Sequence, residues 1–287
     1  MIKTSRQLKA LISNQAKGDS GKSQFLIRNY AMERFLERVS LSGYKDNFIL
    51  KGGMLIAAMV GIENRSTMDI DTTVRSLPLG IDNVKRIIEK IIEVPVDDNI
   101  CFEIKSVTEI MEEAEYSGIR ISLDAYLDTM RIPLKIDIST GDVITPSEIT
   151  YQYKLMFEER HIFLWAYPLE TVLAEKIETV LSRALTNTRL RDFYDLYILQ
   201  NGELKIDYRI LTDALVATSC KRNSENILPE YAHILDELEA SRTMRELWGR
   251  YQKKNSYAEG IGWNDVIHAA RILCEACAKN IGFNEIL

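Results

Sequence analysis

The order of apolar and polar residues predicts a mixed first half and a helical second half. Residues 22–41 place apolar side chains at three-to-four spacing, which is typical of an amphipathic helix. Segments with period-two alternation and β-branched residues, which indicate strands, follow it. The predicted elements up to residue 140 are strands at 47–50, 67–74, 101–110, 118–127 and 131–140, with helices at 54–60 and 81–93.

Helical patterns dominate after Pro168, and glycine and proline occur mainly at the junctions between them. The predicted helices are 169–185, 189–200, 208–220, 231–252 and 263–280. This order predicts an α+β or α/β domain with a mixed sheet and N-terminal helices at 1–165, followed by an all-helical C-terminal lobe at 166–287.

Composition excludes few functions. The chain has 287 residues, 46% of them apolar and 27% charged, as expected for a globular protein, and its net charge of −6 argues against bulk cationic binding of nucleic acid. No stretch is apolar enough for a membrane helix, and the N-terminus lacks the apolar core of a signal peptide, so a cytoplasmic protein is expected. The lone CxxC of Cys274 and Cys277 predicts reduced thiols, since a zinc site needs four ligands.

Two aspartates interrupt a strand-like apolar segment. Asp69 and Asp71 are two residues apart, so on a strand both side chains point to the same face. Adjacent carboxylates repel each other unless a cation lies between them, and hard oxygen ligands select Mg²⁺ or Mn²⁺. Asp137 lies in a similar apolar strand, and a neighbouring strand would place it beside the first two. Three acids would suit two metal ions in phosphoryl or nucleotidyl transfer.

A glycine pair precedes the aspartates at a predicted strand-to-helix junction. The free N–H groups and the dipole of a helix start favour phosphate, and Gly52 and Gly53 would let the backbone come close to it. Two alternatives compete. Asp69 and Asp71 could be a solvated pair on an edge strand, or a glycosyltransferase-type DxD motif. An EF-hand is excluded, because Val74 replaces its glycine and Gly80 its final glutamate.

The segments "FILKGGMLIAAMVGIENRSTMDIDT", "LKIDIS" and "LETVLAEKIETVLSRALTNTRLRDFYDLYIL" together resemble the AbiEii/AbiGii nucleotidyltransferase toxins, in the DNA polymerase β-like superfamily. The resemblance spans about residues 25–200. It implies a nucleotidyltransferase core whose active site the helical lobe completes. It also implies an NTP substrate, Mg²⁺ or Mn²⁺, a nearby antitoxin gene, and a role in abortive infection, with tRNA ends as the acceptor in relatives.

Carried onto this chain, the resemblance makes Asp69 and Asp71 metal-binding catalytic residues. It places Lys51, Gly52 and Gly53 at the triphosphate, which the motif lysine Lys176 also faces. Asp195 matches the acid of the RDxxDL motif and would orient or deprotonate the acceptor.

This chain departs from the family in two places. Met54 follows the glycine pair where many relatives have a small or hydroxylated residue, and fifteen residues separate Gly53 from Asp69. A hydroxyl contact to phosphate could come instead from Ser66 or Thr67, or these could be strand-entry residues.

The helical motif also has a chemical interpretation. Lys176 and Arg183 lie seven residues apart, so both can point the same way towards phosphates. The alternative is a structural salt-bridge network between helices that involves Glu175, Lys176, Arg191 and Asp192.

The sequence therefore predicts a metal-dependent nucleotidyltransferase toxin that transfers a nucleotide from an NTP to a tRNA 3′ end or, as an alternative, to a protein. The second hypothesis is a non-catalytic nucleotide- or partner-binding module with the same fold.

Overall fold

The computed structural model describes residues 1–112 and 116–282. The chain forms two compact units. The first contains Met1–Asp142 and Ile149–Ala166, and the second contains Val143–Glu148 and the chain from Tyr167 onward.

A seven-stranded mixed sheet forms the centre of the first unit, with strand order β3-β4-β5-β2-β1-β7-β6. Strands β1 and β7 pair in parallel, as do β2 and β5, and the other neighbours are antiparallel. The strands are β1 (Phe48–Lys51), β2 (Ile70–Val74), β3 (Ile100–Glu112), β4 (Tyr116–Leu127), β5 (Met130–Thr140), β6 (Ile149–Lys154) and β7 (His161–Ala166).

The helices of this unit are α1 (Ser5–Ala16), α2 (Ser20–Leu41), α3 (Gly52–Val60) and α4 (Ile81–Ile92). Helix α4 buries one apolar stripe, Val84, Ile87, Ile88 and Ile91, as its periodicity predicted. Helix α2 is buried over most of its length, including four charged residues, Glu33, Arg34, Glu37 and Arg38. Arg34 and Arg38 form ion pairs with buried or partly buried carboxylates, which offsets part of the cost of burying their charges.

The second unit is helical in the part that the structure describes, as predicted. Its helices are α5 (Leu169–Arg183), α6 (Leu190–Asn201), α7 (Tyr208–Lys221), α8 (Tyr231–Ala240), α9 (Arg242–Lys254) and α10 (Trp263–Ile281). The single helix predicted at 231–252 is wrong: it is divided at Ser241, whose side chain accepts a hydrogen bond from the amide of Met244 and so caps α9.

The sequence analysis missed two strands. In β7, Ile162, Leu164 and Ala166 are buried while His161 and Phe163 are exposed, so the strand has the expected alternation over only six residues. Strand β6 lies at the edge of the sheet and its side chains are mostly exposed, which leaves a weak apolar signal. No helix among the described residues has the length and apolarity needed to span a membrane.

Candidate active site

Strand register places four charged residues in one row across the sheet. Lys51 of β1 lies opposite Asp71 of β2, Asp71 opposite Asp137 of β5, and Asp137 opposite Arg120 of β4. Residues directly opposite each other on paired strands project to the same face. The two acids therefore lie at the centre of the row with a cation on each side. The first unit has a pocket at this place, which Lys51, Asp71 and Asp137 line and Arg120 does not.

Asp71 is the most perturbed acid of the row. Burial raises the pKa of its carboxyl to about 6, and the charges of Asp137 and Asp69 act in the same direction. The amide of Gly53, which donates to Oδ2 of Asp71 at 3.2 Å, and the charge of Lys51 oppose this rise without cancelling it. A nearby cation would therefore be favoured here, since it would stabilise the ionised form.

The glycine pair makes this arrangement possible. Gly52 begins α3 with a φ of +64°, and a Cβ on it would lie 2.2 Å from Oδ2 of Asp71. A Cβ on Gly53 would lie 2.6 Å from Oγ1 of Thr67 and 3.0 Å from Nη2 of Arg65. The two glycines are thus needed because the side chains of Asp71, Thr67 and Arg65 come close to the start of α3. From the sequence, the glycines were expected only to let phosphate approach the backbone.

Asp69 is placed just before β2 rather than within it, as the strand begins at Ile70. Its side chain is half-buried, and its carbonyl accepts a hydrogen bond from the Thr67 hydroxyl at 3.3 Å. Its negative charge is one of the causes that raise the pKa of Asp71. Asp69 thus lies outside the strand that the spacing argument assumed for the pair, and its role beside Asp71 stays a prediction.

Asp137 is engaged by an arginine. Nε and Nη2 of Arg120 donate to its two oxygens at 2.8 and 2.6 Å, a bidentate pair. Among the described residues, no group of three acids, cysteines or histidines is arranged to hold a metal ion. The three-acid site stays a prediction, and the sequence analysis missed Arg120. The available signal in the sequence was a single arginine in the predicted strand 118–127, which has alternating side chains and pairs with the strand of Asp137.

The donor set fits magnesium in a more limited form. Asp69 and Asp71 supply hard carboxylate oxygens, that of Asp71 beside the start of α3, and Mg²⁺ typically takes one or two carboxylates together with substrate phosphates. The residues present therefore fit a divalent ion that arrives with a nucleotide, without an all-protein cage.

Lys51 and Ser66 each contact a charged side chain of the first unit. Nζ of Lys51 lies 2.7 Å from Oδ2 of Asp142, which also accepts from the Ser139 hydroxyl at 2.8 Å. The carbonyl of Ser66 accepts a hydrogen bond from the guanidinium of Arg65. Arg65 is almost fully buried, and the sequence analysis missed it. A charged residue four positions before the first aspartate in "NRSTMDID" was the available signal.

A second cluster of charges lies within the helical unit. Nζ of Lys176 on α5 contacts Oδ1 of Asp192 and lies 3.3 Å from Oδ2 of Asp195, both on α6. Asp195 is fully buried and Asp192 nearly so, and Oδ2 of Asp192 is buried without a hydrogen-bond partner. The inter-helix salt bridge considered as an alternative is therefore present for Lys176 and Asp192.

Arg183, at the end of α5, lies among other cations of this unit. Burial lowers the pKa of its guanidinium, and the positive charges of Arg189 and Arg222 lower it further, against the charge of Asp192. Arg222 is also paired, with Nη1 2.5 Å from Oε2 of Glu178. Arginines gathered in this way favour an anion, and the phosphate contact of Arg183 stays a prediction.

Comparison with known proteins identifies the class. The model of the family "Nucleotidyl transferase AbiEii toxin, Type IV TA system" matches residues 34–268, which include the charged row, the glycine pair and the cluster around Lys176. The match extends well past residue 200, where the resemblance noted in the sequence ended. No curated protein matches the chain.

Similar solved structures have low sequence identity. The protein JHP933 from Helicobacter pylori is 14% identical with a TM-score of 0.49, covering 91% of this chain and 97% of its own. A candidate nucleotidyltransferase from H. pylori is 15% identical with a TM-score of 0.48, covering 90% and 97%. An antigenic nucleotidyltransferase-like protein from Paracoccidioides brasiliensis is 14% identical with a TM-score of 0.37, covering 82% and 94%.

The sequence match is the basis of the assignment. By family this chain is a nucleotidyltransferase, as predicted. It belongs to the AbiEii toxins of type IV toxin–antitoxin systems, which confirms the predicted family and implies an NTP substrate and an antitoxin partner.

Proposed function

We propose that this protein transfers a nucleotidyl group from an NTP to the 3′-terminal hydroxyl of a tRNA, and that this modification inhibits growth or phage propagation. The observation that carries the proposal is the packing of Asp71 against the Gly52–Gly53 turn, in a row where two acids lie between two cations, with Asp69 two residues before it in the chain. This arrangement joins a carboxylate pair to a helix start, which are the two parts needed to hold a metal–triphosphate.

Asp69 and Asp71 are the proposed ligands of the divalent ion. When bound, this ion would neutralise the phosphate oxygens and the charge that develops on them. Asp137 was also predicted to bind metal. Because both its oxygens are bonded to Arg120, we assign it a supporting role in which the pair fixes the strand beside Asp71.

The proposed phosphate contacts follow the motifs of the family. Helix α3 begins at Gly52 and offers the positive end of its dipole to an anion. Lys51 precedes this turn in sequence, Thr67 packs against Gly53, and Ser66 precedes Thr67. Lys176 and Arg183 are proposed to contact the triphosphate. Asp195, predicted to act on the acceptor, is fully buried against Lys176, so we propose that it holds the lysine in position.

In the reaction, the acceptor hydroxyl oxygen forms a bond to the α-phosphorus, the bond from that phosphorus to the bridging oxygen breaks, and pyrophosphate leaves with the electron pair. The hydroxyl proton passes to solvent or to a carboxylate of the site. The protein accelerates this displacement mainly by positioning the groups and by stabilising charge.

The test is transfer of label from each of the four α-³²P-NTPs to total RNA and to total cell protein, with and without Mg²⁺. We expect a labelled tRNA band with one or more NTPs. At the Mg²⁺ concentration that is half-saturating for the wild type, Asp69→Asn should strongly weaken the band, and Asp46→Asn, an exposed acid of the same unit, should retain it. Label found only in protein would favour the protein-modifying alternative. If no NTP labels either fraction, the catalytic proposal is refuted.

A further inference from the structure

Helix α9 is a basic segment in an acidic protein. Its 13 residues include Arg242, Arg245, Arg250, Lys253 and Lys254 but only one acid, Glu246, although the chain as a whole has a net charge of −6. The cations are thus concentrated on one short element, where they can act together.

The cations lie on the face of α9 that is turned to solvent. Met244 and Trp248 are buried and define the inner face, whereas all five cations are exposed. At 100° per residue, Arg242, Arg245 and Lys253 fall within about 80° of one another, and Arg250 lies beside them. A 13-residue helix is about 20 Å long, so these charges form a continuous strip that we call the α9 basic face.

Helix electrostatics do not account for this distribution. Lys253 and Lys254 lie in the last turn, where the helix dipole favours cations, but Arg242 is the first residue of α9 and no acid lies in the first turn. A cation at a helix start is unfavourable for the helix. Its presence there indicates a role outside the helix.

The other groups of the unit leave most of these charges unneutralised. Arg242 pairs with Glu246 at 3.0 Å, and Arg245 donates to the carbonyl of Glu239. Within the residues that the structure describes, Arg250, Lys253 and Lys254 have no carboxylate at ion-pair distance. The strip therefore presents a net positive charge to solvent.

The composition of the α9 basic face distinguishes a polyanion from a protein partner. Stable protein interfaces usually centre on large apolar or aromatic side chains. Among the described residues, none of the large apolar side chains that are exposed lies on α9. Exposed arginines and lysines without an apolar centre are instead typical of contacts to nucleic-acid phosphates.

We propose that the α9 basic face binds the phosphodiester backbone of the RNA acceptor. This inference rests on the proposed function for the identity of the acceptor and adds to it the surface that recognises it. The contacts are to phosphates, so they position the RNA and carry no sequence preference.

The experiment measures binding of bulk tRNA, without NTP, by fluorescence anisotropy from 0.05 to 0.3 M salt. The test variant is Arg250→Gln/Lys253→Gln/Lys254→Gln, which retains good helix formers. The matched control is Lys85→Gln/Arg86→Gln/Lys90→Gln, which removes three exposed cations from α4. Circular dichroism and the melting temperature check that both variants are folded.

We expect the α9 variant to bind tRNA about tenfold or more weakly at 0.1 M salt, and its slope of log K against log salt to fall by about two to three. The α4 variant should bind as the wild type does. The inference is overturned if the α9 variant keeps wild-type affinity, if both variants weaken equally, or if polyglutamate competes as well as tRNA does.

Failure of this inference can be separated from failure of the proposed function. If the wild type labels tRNA and the α9 variant binds tRNA normally, the transfer reaction stands and the surface is refuted. If the wild type labels no RNA but binds it through α9, the surface stands and the proposed transfer to RNA is refuted. In an enzyme that labels tRNA, the α9 variant should raise KM for tRNA and leave kcat unchanged.

Discussion

Gly52 and Asp71 are packed so closely that no other residue fits at position 52. A Cβ at position 52 would lie 2.2 Å from Oδ2 of Asp71 and 2.7 Å from the Cβ of Asp71. The backbone of Gly52 is also left-handed, with a φ of +64°. Close approach and positive φ both require glycine. The turn therefore determines the position of the central acid of the site.

Replacing Gly52 should disable the protein. We expect Gly52→Ala to lower the free energy of unfolding by about 2 kcal/mol or more, since a left-handed alanine costs about 1–2 kcal/mol before the clash with Asp71 is added. Nucleotidyl transfer should be lost as well. Urea denaturation and the label assay measure both effects. Gly43→Ala is the control, because a Cβ there meets nothing within 4 Å; equal losses in the two variants would contradict the prediction.

The acids of the row should differ in their effect on metal. We expect Asp69→Asn to raise the Mg²⁺ concentration for half-maximal transfer about tenfold or more, because it removes a proposed ligand. Asp137→Asn should shift it less, since Arg120 already binds both oxygens of Asp137. A titration of initial rate against Mg²⁺ measures both values. An equal or larger shift for Asp137→Asn would restore Asp137 as a metal ligand.

Lys176 should matter for both stability and activity. Lys176→Met removes the lysine that pairs with the buried Asp192 and Asp195 and should cost about 3 kcal/mol of stability. The double variant Lys176→Met/Asp192→Asn removes one of these charges and should regain part of the loss. Denaturation curves of the wild type and both variants provide the comparison.

Activity separates the two roles of Lys176. If the lysine contacts the triphosphate, the double variant should stay inactive in the label assay although its stability improves. Recovery of transfer together with stability would show that the lysine is needed only to neutralise the buried acids.

Glu33 should make stability depend on pH. It is buried on α2, and burial raises the pKa of its carboxyl from 4.5 to about 8 in spite of hydrogen bonds from the Met156 amide, Tyr153 and Asn29. Between about pH 4.5 and pH 8, the Glu33 carboxyl is protonated in the folded protein and ionised in the unfolded chain. The contribution of Glu33 to stability is therefore fully present below about pH 4.5 and falls as pH rises towards 8, by up to about 1.4 kcal/mol per pH unit.

The pH effect can be isolated by substitution. Glu33→Gln cannot titrate, so its stability relative to wild type should rise by about 3 kcal/mol between pH 5 and pH 7.5. Guanidinium denaturation at three pH values measures this difference. Glu63→Gln, a change at an exposed acid, serves as the control and should show no such trend. A constant difference between Glu33→Gln and wild type would mean that the buried carboxyl is already ionised.

Regular periodicity made most of the fold predictable. Helix α4 was expected from its apolar stripe, and β4 and β5 from their alternation, because each buries one face. The division at Ser241 was missed because a serine cap interrupts the chain without changing the apolar pattern. The burial of the charged residues of α2 was not predicted either, because their partners, such as Asp98 for Arg38, are distant in the sequence.

The sequence by itself determined the class of protein and most of its elements, and it supplied the acids that are proposed for the site. Asp69, Asp71 and the glycine pair were predicted because they are neighbours along the chain, where spacing and local chemistry decide the geometry. Only the tertiary structure decided the partners of these residues. Strand register set Lys51, Asp71, Asp137 and Arg120 in one row, and the packing of α3 on β2 brought Gly52 against Asp71. Register depends on the whole sheet, and a short stretch of sequence does not contain it.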